Sequence, residues 1–447
     1  MPSSSSNFTL VVPRPSSGLD PTHSLVVETP KPREIPEGHV LIRVDRFGFS
    51  ANNITYQALG EAPNFRYFEF HYVPTTGVVS PKRYGAIPVW GFGYVIASKS
   101  AIKVGERVYG YFAPTRYLTV AVDPQSITSY SFSIPRPHLP ADRRPYNQVT
   151  RCAGDPLYNP DPIKEDLSML YRPLFWTSYW CEDWLFHGFE QKYHGAKHFL
   201  ISSASAKTAF ALAYCYRRRI ATHSELSGTK IIGLTSKKNL EFTRRLGLYD
   251  TVLEYGSFTE SLEMDVSRGD GNWVFTDVAG NDDLNRRILK HFVAFNARDK
   301  LIAIMLGVTN LQPNAVSEAS SIELMSPPKA GDTSNLPPST TVAAQDEKLK
   351  LETFFTVEWL AQRRSKKGKH YLTVPQIAEM QGEAWGALMQ DGKDWVRLER
   401  LYGPDNVREE YERIGREGLG PEIGQIWSLW EKKQETMLEG QKVTANL

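Results

Sequence analysis

Residues 198–238, HFLISSASAKTAFALAYCYRRRIATHSELSGTKIIGLTSKK, decide the fold. The apolar run HFLISS is followed by the small-residue turn ASAKT, the apolar run AFALAYCY and a second strand-like run, KIIGLTSKK. This order predicts a strand, a tight turn, a helix and a second strand, which together form a βαβ unit. The first turn of such a unit is where dinucleotide-binding proteins hold the pyrophosphate. The stretch therefore predicts a nucleotide-binding sheet.

The end of the second predicted strand indicates which dinucleotide would bind. An acidic residue there pairs with the ribose 2′-hydroxyl of NAD, whereas cationic or hydroxyl side chains suit the extra phosphate of NADP. This chain has Ser236, Lys237 and Lys238 at that point and no carboxylate before Glu241. We therefore predict that these three residues bind the 2′-phosphate of NADPH. The alternatives are a solvated lysine pair and a serine that caps the following helix.

Composition argues against several classes of protein. The 447 residues include 52 Lys and Arg and 50 Asp and Glu, a balance that is unlike that of a nucleic-acid binder. Three cysteines are too few for a disulfide framework and indicate a reducing compartment. No apolar run approaches about 18 residues and the N-terminus lacks the pattern of a secretory signal, so no membrane contact is predicted. We expect a soluble, cytoplasmic protein.

The pattern along the chain predicts five segments and an α/β fold. Residues 1–18 are rich in Ser and Pro and predict a disordered tail. Short alternating runs predict a small β-barrel domain over 19–165, and strands alternating with helical segments predict a doubly wound parallel-sheet domain over 166–310. The Ser/Pro-rich segment 311–347 predicts a flexible linker, and 348–447 predicts amphipathic helices.

The order of these pieces resembles the medium-chain dehydrogenase/reductases, specifically their zinc-free quinone-reductase and enoyl-reductase branch. More closely still, it resembles a fungal and bacterial set within that superfamily that is labelled as a domain of unknown function. The matching segments, in chain order, are HVLIRVDRFGFSANNITYQALG, PVWGFGYVIAS, KVGERVYGYF, SSASAKTA, TSKKNLEFTRRLGLYDTVLEY and FTDVAGN. The resemblance implies a GroES-like barrel, a Rossmann domain and a C-terminal return to the barrel, with the active site in the cleft between the domains.

Two departures from the family bear on function. Zinc-dependent members carry a ligand Cys in the loop that corresponds to Ser50–Asn53 and a Gly-His-Glu in the strand that corresponds to Trp90–Gly93. This chain has SANN and WGFG there, so the ligands of catalytic zinc are missing and we expect no zinc. The family usually places glycines in the cofactor loop, whereas residues 203–208 read SASAKT. Small side chains still permit a close approach, and the hydroxyls and Lys207 add donors for phosphate.

The predicted cofactor residues lie in this loop and after two neighbouring strands. In the loop they are Ser203, Ala204, Ser205, Lys207 and Thr208. The alternative for Lys207 and Thr208 is a first helical turn that points to water. After the fourth strand, the resemblance implies backbone contact with the cofactor by Val278, Ala279 and Gly280 rather than acid–base chemistry by Asp277.

Tyr56 leads the predicted catalytic residues, because quinone-reductase-like members carry a tyrosine facing the nicotinamide at this point of the active-site loop. A neutral phenol can donate a hydrogen bond to a substrate carbonyl oxygen as an enolate develops. Asn53 and Tyr111 complete the predicted catalytic set. The alternatives are a half-buried barrel tyrosine, an asparagine that closes a turn and an aromatic ring packed in the core.

The predicted substrate-binding residues are Asn52, Trp90 and Phe92. The asparagine would orient the substrate or the nicotinamide amide, and the two rings would form a wall for a flat or apolar substrate. Turn closure and core packing are again the alternatives. His71, a lone histidine in FEFHYVP, is expected to be structural.

The leading hypothesis is an NADPH-dependent reductase of an activated C=C bond or a quinone, with a small molecule as substrate. The resemblance suggests fungal specialised metabolism as the setting. The alternative is a non-redox isomerase or cyclase on an enone-like aromatic substrate that has lost nucleotide binding, and a silent binding protein is a third interpretation. Homodimers are common in the family, but segment 311–347 replaces the region that usually pairs, which leaves the oligomeric state open.

Overall fold

The computed structural model describes residues 6–63, 65–187, 191–268, 271–307 and 348–432. The linker predicted over 311–347 lies outside these residues. The chain divides into two compact units. Within the described residues, the first unit holds 6–172 and 375–432, and the second unit holds the remainder. The division between Arg172 and Pro173 falls inside a helix, later than the predicted boundary.

Strands dominate the N-terminal part of the chain, and helices alternate with strands after it. The first elements are β1 (Ser6–Pro13), β2 (Leu25–Pro30), β3 (His39–Phe49), α1 (Ala51–Ala58), β4 (Tyr84–Gly85), β5 (Val89–Ser98), β6 (Arg107–Phe112), β7 (Tyr117–Ala121), β8 (Ser131–Ser133), β9 (Gln148–Arg151) and α2 (Pro162–His187). Next come β10 (His198–Ile201), α3 (Lys207–Thr222), β11 (Lys230–Thr235), α4 (Leu240–Arg245), β12 (Thr251–Glu254), β13 (Trp273–Asp277), α5 (Asp282–Ala294) and β14 (Leu301–Met305). The last are β15 (Glu352–Thr353), α6 (Thr356–Arg363), α7 (Val374–Asp391), β16 (Arg397–Tyr402), α8 (Pro404–Glu417) and β17 (Ile423–Ser428).

The first unit is built around an eight-stranded sheet with the strand order β16-β17-β3-β5-β6-β9-β8, in which β7 also pairs with β3. Strand β3 is buried along almost its whole length because it pairs with β5, β7 and β17. Val40, Ile42 and Val44 enter the main hydrophobic core. Arg43 and Asp45, which alternate with them and point to the other face, form a buried ion pair. The run VLIRVD thus has one wholly apolar face and an opposite face that combines the ion pair with buried Leu41.

The predicted disordered tail over 1–18 is wrong for residues 6–13, which form β1. This strand pairs antiparallel with β2 and with β4. Leu10, Val11 and Val12 are at most 3% exposed. Burial of this apolar run stabilises the strand. The Ser and Pro residues on either side of this short apolar run give the segment a composition that is typical of a disordered tail.

The second unit contains a parallel six-stranded sheet in the order β12-β11-β10-β13-β14-β15. Numbered within the sheet, this is the order 3-2-1-4-5-6 of doubly wound dinucleotide-binding domains. The apolar residues of β10, β11 and β13 are buried, as in parallel sheets that are covered on both faces. The predicted α/β fold class, with a barrel-type sheet and a Rossmann sheet, is confirmed.

The C-terminal region is not purely helical, contrary to the prediction for 348–447. In its described part, β15 extends the parallel sheet of the second unit, and β16 and β17 join the sheet of the first unit. Helices α6, α7 and α8 alternate with these strands. The strands are short and take their burial from sheet neighbours far away in sequence, so the helical periodicity dominated the pattern. Among the described residues, none of the helices is long and apolar enough to cross a membrane.

Candidate functional site

The turn between β10 and α3 lies where the strand order of the parallel sheet reverses. Strand β10 pairs with β11 on one side and with β13 on the other. Doubly wound sheets bind their ligands at such a switch point. The predicted cofactor residues come together at this carboxyl edge: 203–208 follow β10, 236–238 follow β11, and 279–280 follow β13.

The backbone of the turn is held by two tyrosine hydroxyls. Ser203 has a φ of 51°, in the left-handed region that residues with a Cβ seldom adopt. Its backbone N–H donates to the hydroxyl of Tyr255 at 2.8 Å. The hydroxyl of Tyr249 donates to the Ala204 carbonyl oxygen, also at 2.8 Å. Burial raises the pKa of Tyr255 to about 12, so this hydroxyl is neutral at physiological pH.

The close packing that glycines usually provide in a dinucleotide-binding turn comes here from the neighbouring strand. A Cβ on Gly233 of β11 would lie 2.8 Å from the Cβ of Ala204, closer than carbon atoms can approach without displacement. Ala204 itself is fully buried. The glycine in KIIGLT therefore makes room for the alanine in the turn.

Helix α3 begins directly after the turn, and its N-cap position is occupied by Ala206, which has no side-chain group that could cap the helix. The N-terminus of a helix favours an anion because its first backbone N–H groups and the positive end of its dipole point towards it. Lys207 and Thr208 are less than one tenth exposed, so the alternative of a first turn that points to water does not hold for them. The hydroxyl of Ser205 accepts hydrogen bonds from Asn239 at 3.0 Å and Thr235 at 3.3 Å. The Ser205 hydroxyl therefore connects the turn after β10 to the end of β11.

The residues after β11 carry two cations and one unsatisfied hydroxyl. The hydroxyl oxygen of Ser236 is buried and has no hydrogen-bond partner in the described part of the chain. It does not cap the short 3₁₀ turn that follows, which removes the capping alternative. Lys237 and Lys238 are exposed. A buried hydroxyl without a partner costs about 1–3 kcal/mol, so a ligand atom bound to Ser236 would relieve this cost.

Asp277 at the end of β13 is a structural group. Its carboxylate accepts hydrogen bonds from the Ser202 hydroxyl at 2.8 Å, the Gly280 N–H at 3.0 Å and the Asn285 amide at 2.8 Å. Burial raises the pKa of Asp277, and the bonds from Asn285 and Ser202 oppose the shift. The N–H groups of Val278 and Ala279 both donate to the Ser202 hydroxyl. These amides therefore fasten β13 to β10, and any cofactor contact at Ala279 would use other atoms.

In the first unit, Tyr56 lies in a cluster of aromatic rings. It stacks on Tyr67 with the centroids 4.3 Å apart and meets the edge of Tyr111 at 6.3 Å. Tyr146 packs against Tyr111 at 5.0 Å, and Trp90 packs against Tyr111 at 4.9 Å. We call these five residues the tyrosine cluster. Tyr56, Tyr111 and Trp90 were predicted from the sequence, and the structure brings them together.

Three phenols of the tyrosine cluster, those of Tyr56, Tyr67 and Tyr111, have a raised pKa. Burial is the main cause that raises the pKa of Tyr56, Tyr67 and Tyr111 above the ordinary value. Neighbouring phenols add to the shift, and the guanidinium of Arg143 opposes it at Tyr56 and Tyr67. The hydroxyl of Tyr111 is buried and has no hydrogen-bond partner among the described residues. The cluster therefore holds neutral hydrogen-bond donors close to a fixed positive charge.

The other predicted residues of the first unit have more ordinary surroundings. The Asn53 amide oxygen accepts from the Ser50 N–H at 2.9 Å and so caps α1, and its amide nitrogen donates to the Pro88 carbonyl oxygen. These contacts favour the turn-closing alternative for Asn53. Asn52 is half-buried on the same helix. Phe92 is 1% exposed and packs on Tyr109 at 4.8 Å, which favours core packing.

Sequence reasoning missed several residues at both places. In the second unit these are Ser202, Gly233, Asn239, Tyr249 and Tyr255. The signal for Tyr255 was available, because it directly follows the third strand of a parallel sheet and must lie at its carboxyl edge. In the first unit the missed residues are Tyr67, Arg143 and Tyr146. Nothing in their local sequence pattern indicates that they lie beside Tyr56.

Within the described ranges, no group of three or more His, Cys, Asp or Glu side chains is arranged to hold a metal ion.

His71 is buried, with its Nε2 2.9 Å from the Tyr111 carbonyl oxygen, so it supports the strand behind the tyrosine cluster.

Comparison with known proteins gives one family. The family model described as "Protein of unknown function (DUF2855)" matches residues 47–419. Because the match covers most of the sequence, the chain belongs to this family. No curated protein matches the sequence.

The solved structures that the comparison found share little sequence with this chain. A mycobacterial protein complexed with NADPH is 14% identical, with a TM-score of 0.44 over 94% of this chain and 99% of that one. CurA from Vibrio vulnificus is 12% identical, with a TM-score of 0.49 over 94% and 98% of the two chains. The CurK enoyl reductase is 12% identical, with a TM-score of 0.46 over 94% and 99%.

Proposed function

We propose that this family member is an NADPH-dependent reductase that acts on an activated C=C bond or a quinone. One observation carries the proposal. The β10–α3 turn stands at the reversal point of a 3-2-1-4-5-6 parallel sheet, beside a β11 end that offers a hydroxyl and two ammonium groups and no carboxylate. This combination suits a dinucleotide that carries a 2′-phosphate.

The groups that would hold NADPH all belong to the second unit. The N-terminus of α3 suits the pyrophosphate, because its N–H groups and the helix dipole favour negative charge and its N-cap residue is an alanine. The unsatisfied hydroxyl of Ser236 and the exposed Lys237 and Lys238 suit the 2′-phosphate. When bound, NADPH supplies a hydride from its nicotinamide ring.

The tyrosine cluster of the first unit supplies hydrogen-bond donors for a carbonyl or quinone oxygen. Because burial raises the pKa of Tyr56 and Tyr111, their hydroxyls keep their protons at neutral pH. A hydrogen bond from either hydroxyl would stabilise the negative charge that develops on the substrate oxygen. The positive charge of Arg143 acts in the same direction.

A second candidate, an isomerase or cyclase that uses no nucleotide, is favoured by the internal bonding of the turn. The Ser203 N–H and the Ser205 hydroxyl already bind Tyr255 and Asn239. A phosphate would therefore meet fewer available donors than in a glycine-rich turn. In this function the same phenols would exchange protons with an enone-like substrate.

A fluorescence titration of the purified protein with NADPH and with NADH separates the two candidates. We expect micromolar binding of NADPH and much weaker binding of NADH. The Lys237→Ala/Lys238→Ala variant should weaken NADPH binding about tenfold or more and leave NADH binding unchanged.

A matched control removes a lysine pair elsewhere in the same unit. Lys366 and Lys367 are exposed, and Lys366→Ala/Lys367→Ala should leave both titrations unchanged. If neither nucleotide binds to the wild-type protein, the reductase proposal is overturned and the nucleotide-free candidate is favoured. If both nucleotides bind equally and the Lys237/Lys238 change has no effect, the assigned 2′-phosphate site is wrong.

A further inference from the structure

The turn after β10 contains a backbone conformation that its own sequence does not favour. Ser203 has a φ of 51°, which brings the Cβ of an L-residue into conflict with its own carbonyl group. Glycine is the residue that ordinarily occupies such a position. A non-glycine residue keeps this conformation only where its surroundings hold it.

Two phenols provide that support. Tyr255 accepts the Ser203 N–H, and Tyr249 donates to the carbonyl of the next residue, Ala204, each at 2.8 Å. Both bonds act on the backbone of the turn rather than on side chains, so they fix the orientation of two consecutive residues. We call this pair of hydrogen bonds the tyrosine brace.

Both phenols start from positions that are themselves fixed to the sheet. The backbone N–H of Tyr255 donates to the Thr235 carbonyl oxygen at 2.9 Å, at the end of β11. Tyr249 is 9% exposed, and a Cβ on Gly233 would lie 2.9 Å from its ring. Both tyrosines flank β12, which is separated from β10 by β11 in the sheet. Their hydroxyls therefore extend across β11 to the turn that follows β10.

We propose that Tyr249 and Tyr255 are positioning residues that take the place of glycines in a nucleotide-binding turn. Their hydroxyls hold the backbone of Ser203 and Ala204 so that the first turn of α3 stands ready for a phosphate group. This inference rests on the proposed binding of NADPH. It explains how a turn without glycine keeps a conformation that glycine would normally supply.

The test combines removal of a hydroxyl with restoration of glycine. Tyr255→Phe keeps the ring and removes the hydrogen bond, so the dissociation constant for NADPH should rise about three- to tenfold. Adding Ser203→Gly to this variant should restore the constant to within about twofold of wild type, because glycine adopts this φ without strain. Tyr193→Phe, which removes a hydroxyl from a ring packed on Phe186 in the same unit, should have no effect.

Two outcomes of the binding measurements would overturn the inference. If Tyr255→Phe binds NADPH as tightly as wild type or more tightly, the hydroxyl does not support the binding conformation. If Tyr255→Phe weakens binding and Ser203→Gly fails to rescue it, Tyr255 acts by some route other than the backbone of the turn.

Hydrogen exchange gives a readout that does not depend on nucleotide. In Tyr255→Phe, the amide of Ser203 should exchange at least about fivefold faster, while the amide of Ile232 within β11 stays protected. Faster exchange together with no nucleotide binding by the wild-type protein would mean that the tyrosine brace exists and the proposed function fails. Unchanged exchange at Ser203 would overturn the tyrosine brace itself.

Discussion

Gly233 of β11 and Ala204 of the β10–α3 turn pack so closely that a Cβ at position 233 would lie 2.8 Å from the Cβ of Ala204. The missing side chain on the strand allows the alanine on the turn to be fully buried. The space that a Rossmann turn needs is thus provided from the second strand. This relationship leads directly to the first prediction.

Gly233→Ala should destabilise the second unit. The new methyl group would meet both Ala204 and the ring of Tyr249, and the surrounding groups are buried and cannot move aside freely. Overpacking of this kind costs about 1–3 kcal/mol of unfolding free energy, which chemical denaturation would measure. Gly386→Ala is the control, because this exposed position on α7 has open space and helix favours alanine. Equal stability of Gly233→Ala and wild type would contradict the packing described.

Glu165→Gln should destabilise the first unit strongly. The Glu165 carboxylate is 4% exposed and accepts hydrogen bonds from Arg46 at 2.8 Å, Arg107 at 2.6 and 3.0 Å, and Tyr158 at 2.8 Å. Removal of one charge from a buried ion-pair network leaves its partners undercompensated and costs about 3 kcal/mol. Urea unfolding would measure the loss. Glu37→Gln, in an exposed pair with Lys99, should change stability by less than about 0.5 kcal/mol.

The first unit should lose stability as the pH falls below about 6.5, and His71 should cause part of this loss. Burial and the nearby charge of Arg136 lower the pKa of His71 to about 3. The unfolded chain takes up a proton at His71 below about pH 6.5 that the folded chain refuses, so stability falls by up to about 1.4 kcal/mol per pH unit towards pH 3.

His71→Gln isolates this contribution, because glutamine can still donate to the Tyr111 carbonyl oxygen and does not titrate. Unfolding free energies measured at about pH 7.5 and about pH 5 should differ less in the variant than in wild type. Identical differences in the two proteins would show that His71 is not the group responsible.

Tyr56→Phe should lower kcat for an enone or quinone substrate about 10- to 100-fold with little change in KM, because the lost hydrogen bond strengthens only as charge develops on the substrate oxygen. Oxidation of NADPH, followed by its absorbance, measures the effect. Tyr117→Phe is the matched control, since this ring packs on Trp430 outside the tyrosine cluster. If kcat falls by a similar factor in both variants, or falls in neither variant, the Tyr56 hydroxyl has no specific role in the reaction.

The parallel sheet was predictable because its signal is local. Each βαβ step places strand, turn and helix next to one another in sequence, and the run 198–238 contains all three. Strand β1 was missed for the opposite reason. Its partners β2 and β4 begin many residues later, and its short apolar run stands between segments of Ser and Pro.

The same distinction between local and long-range signals applies to the residues of the candidate site. The sequence placed Ser236, Lys237 and Lys238 at the end of β11 because a strand end is a local feature. It also predicted Tyr56, but not Tyr67 or Tyr146, since these lie in two separate 3₁₀ helices and meet the other rings of the cluster only through packing.

The amino-acid sequence by itself determined the α/β class, the order of the Rossmann strands along the chain and the residues at the switch point, because these depend on hydrophobic periodicity and on the nearest turns. Only the tertiary structure decided how a turn without glycine is held. The hydroxyls of Tyr249 and Tyr255, which lie 45 and 52 residues beyond their partners Ala204 and Ser203, fix its backbone, and Gly233 makes room for it. Hydrogen bonds and close packing between distant residues depend on distances that no local pattern contains.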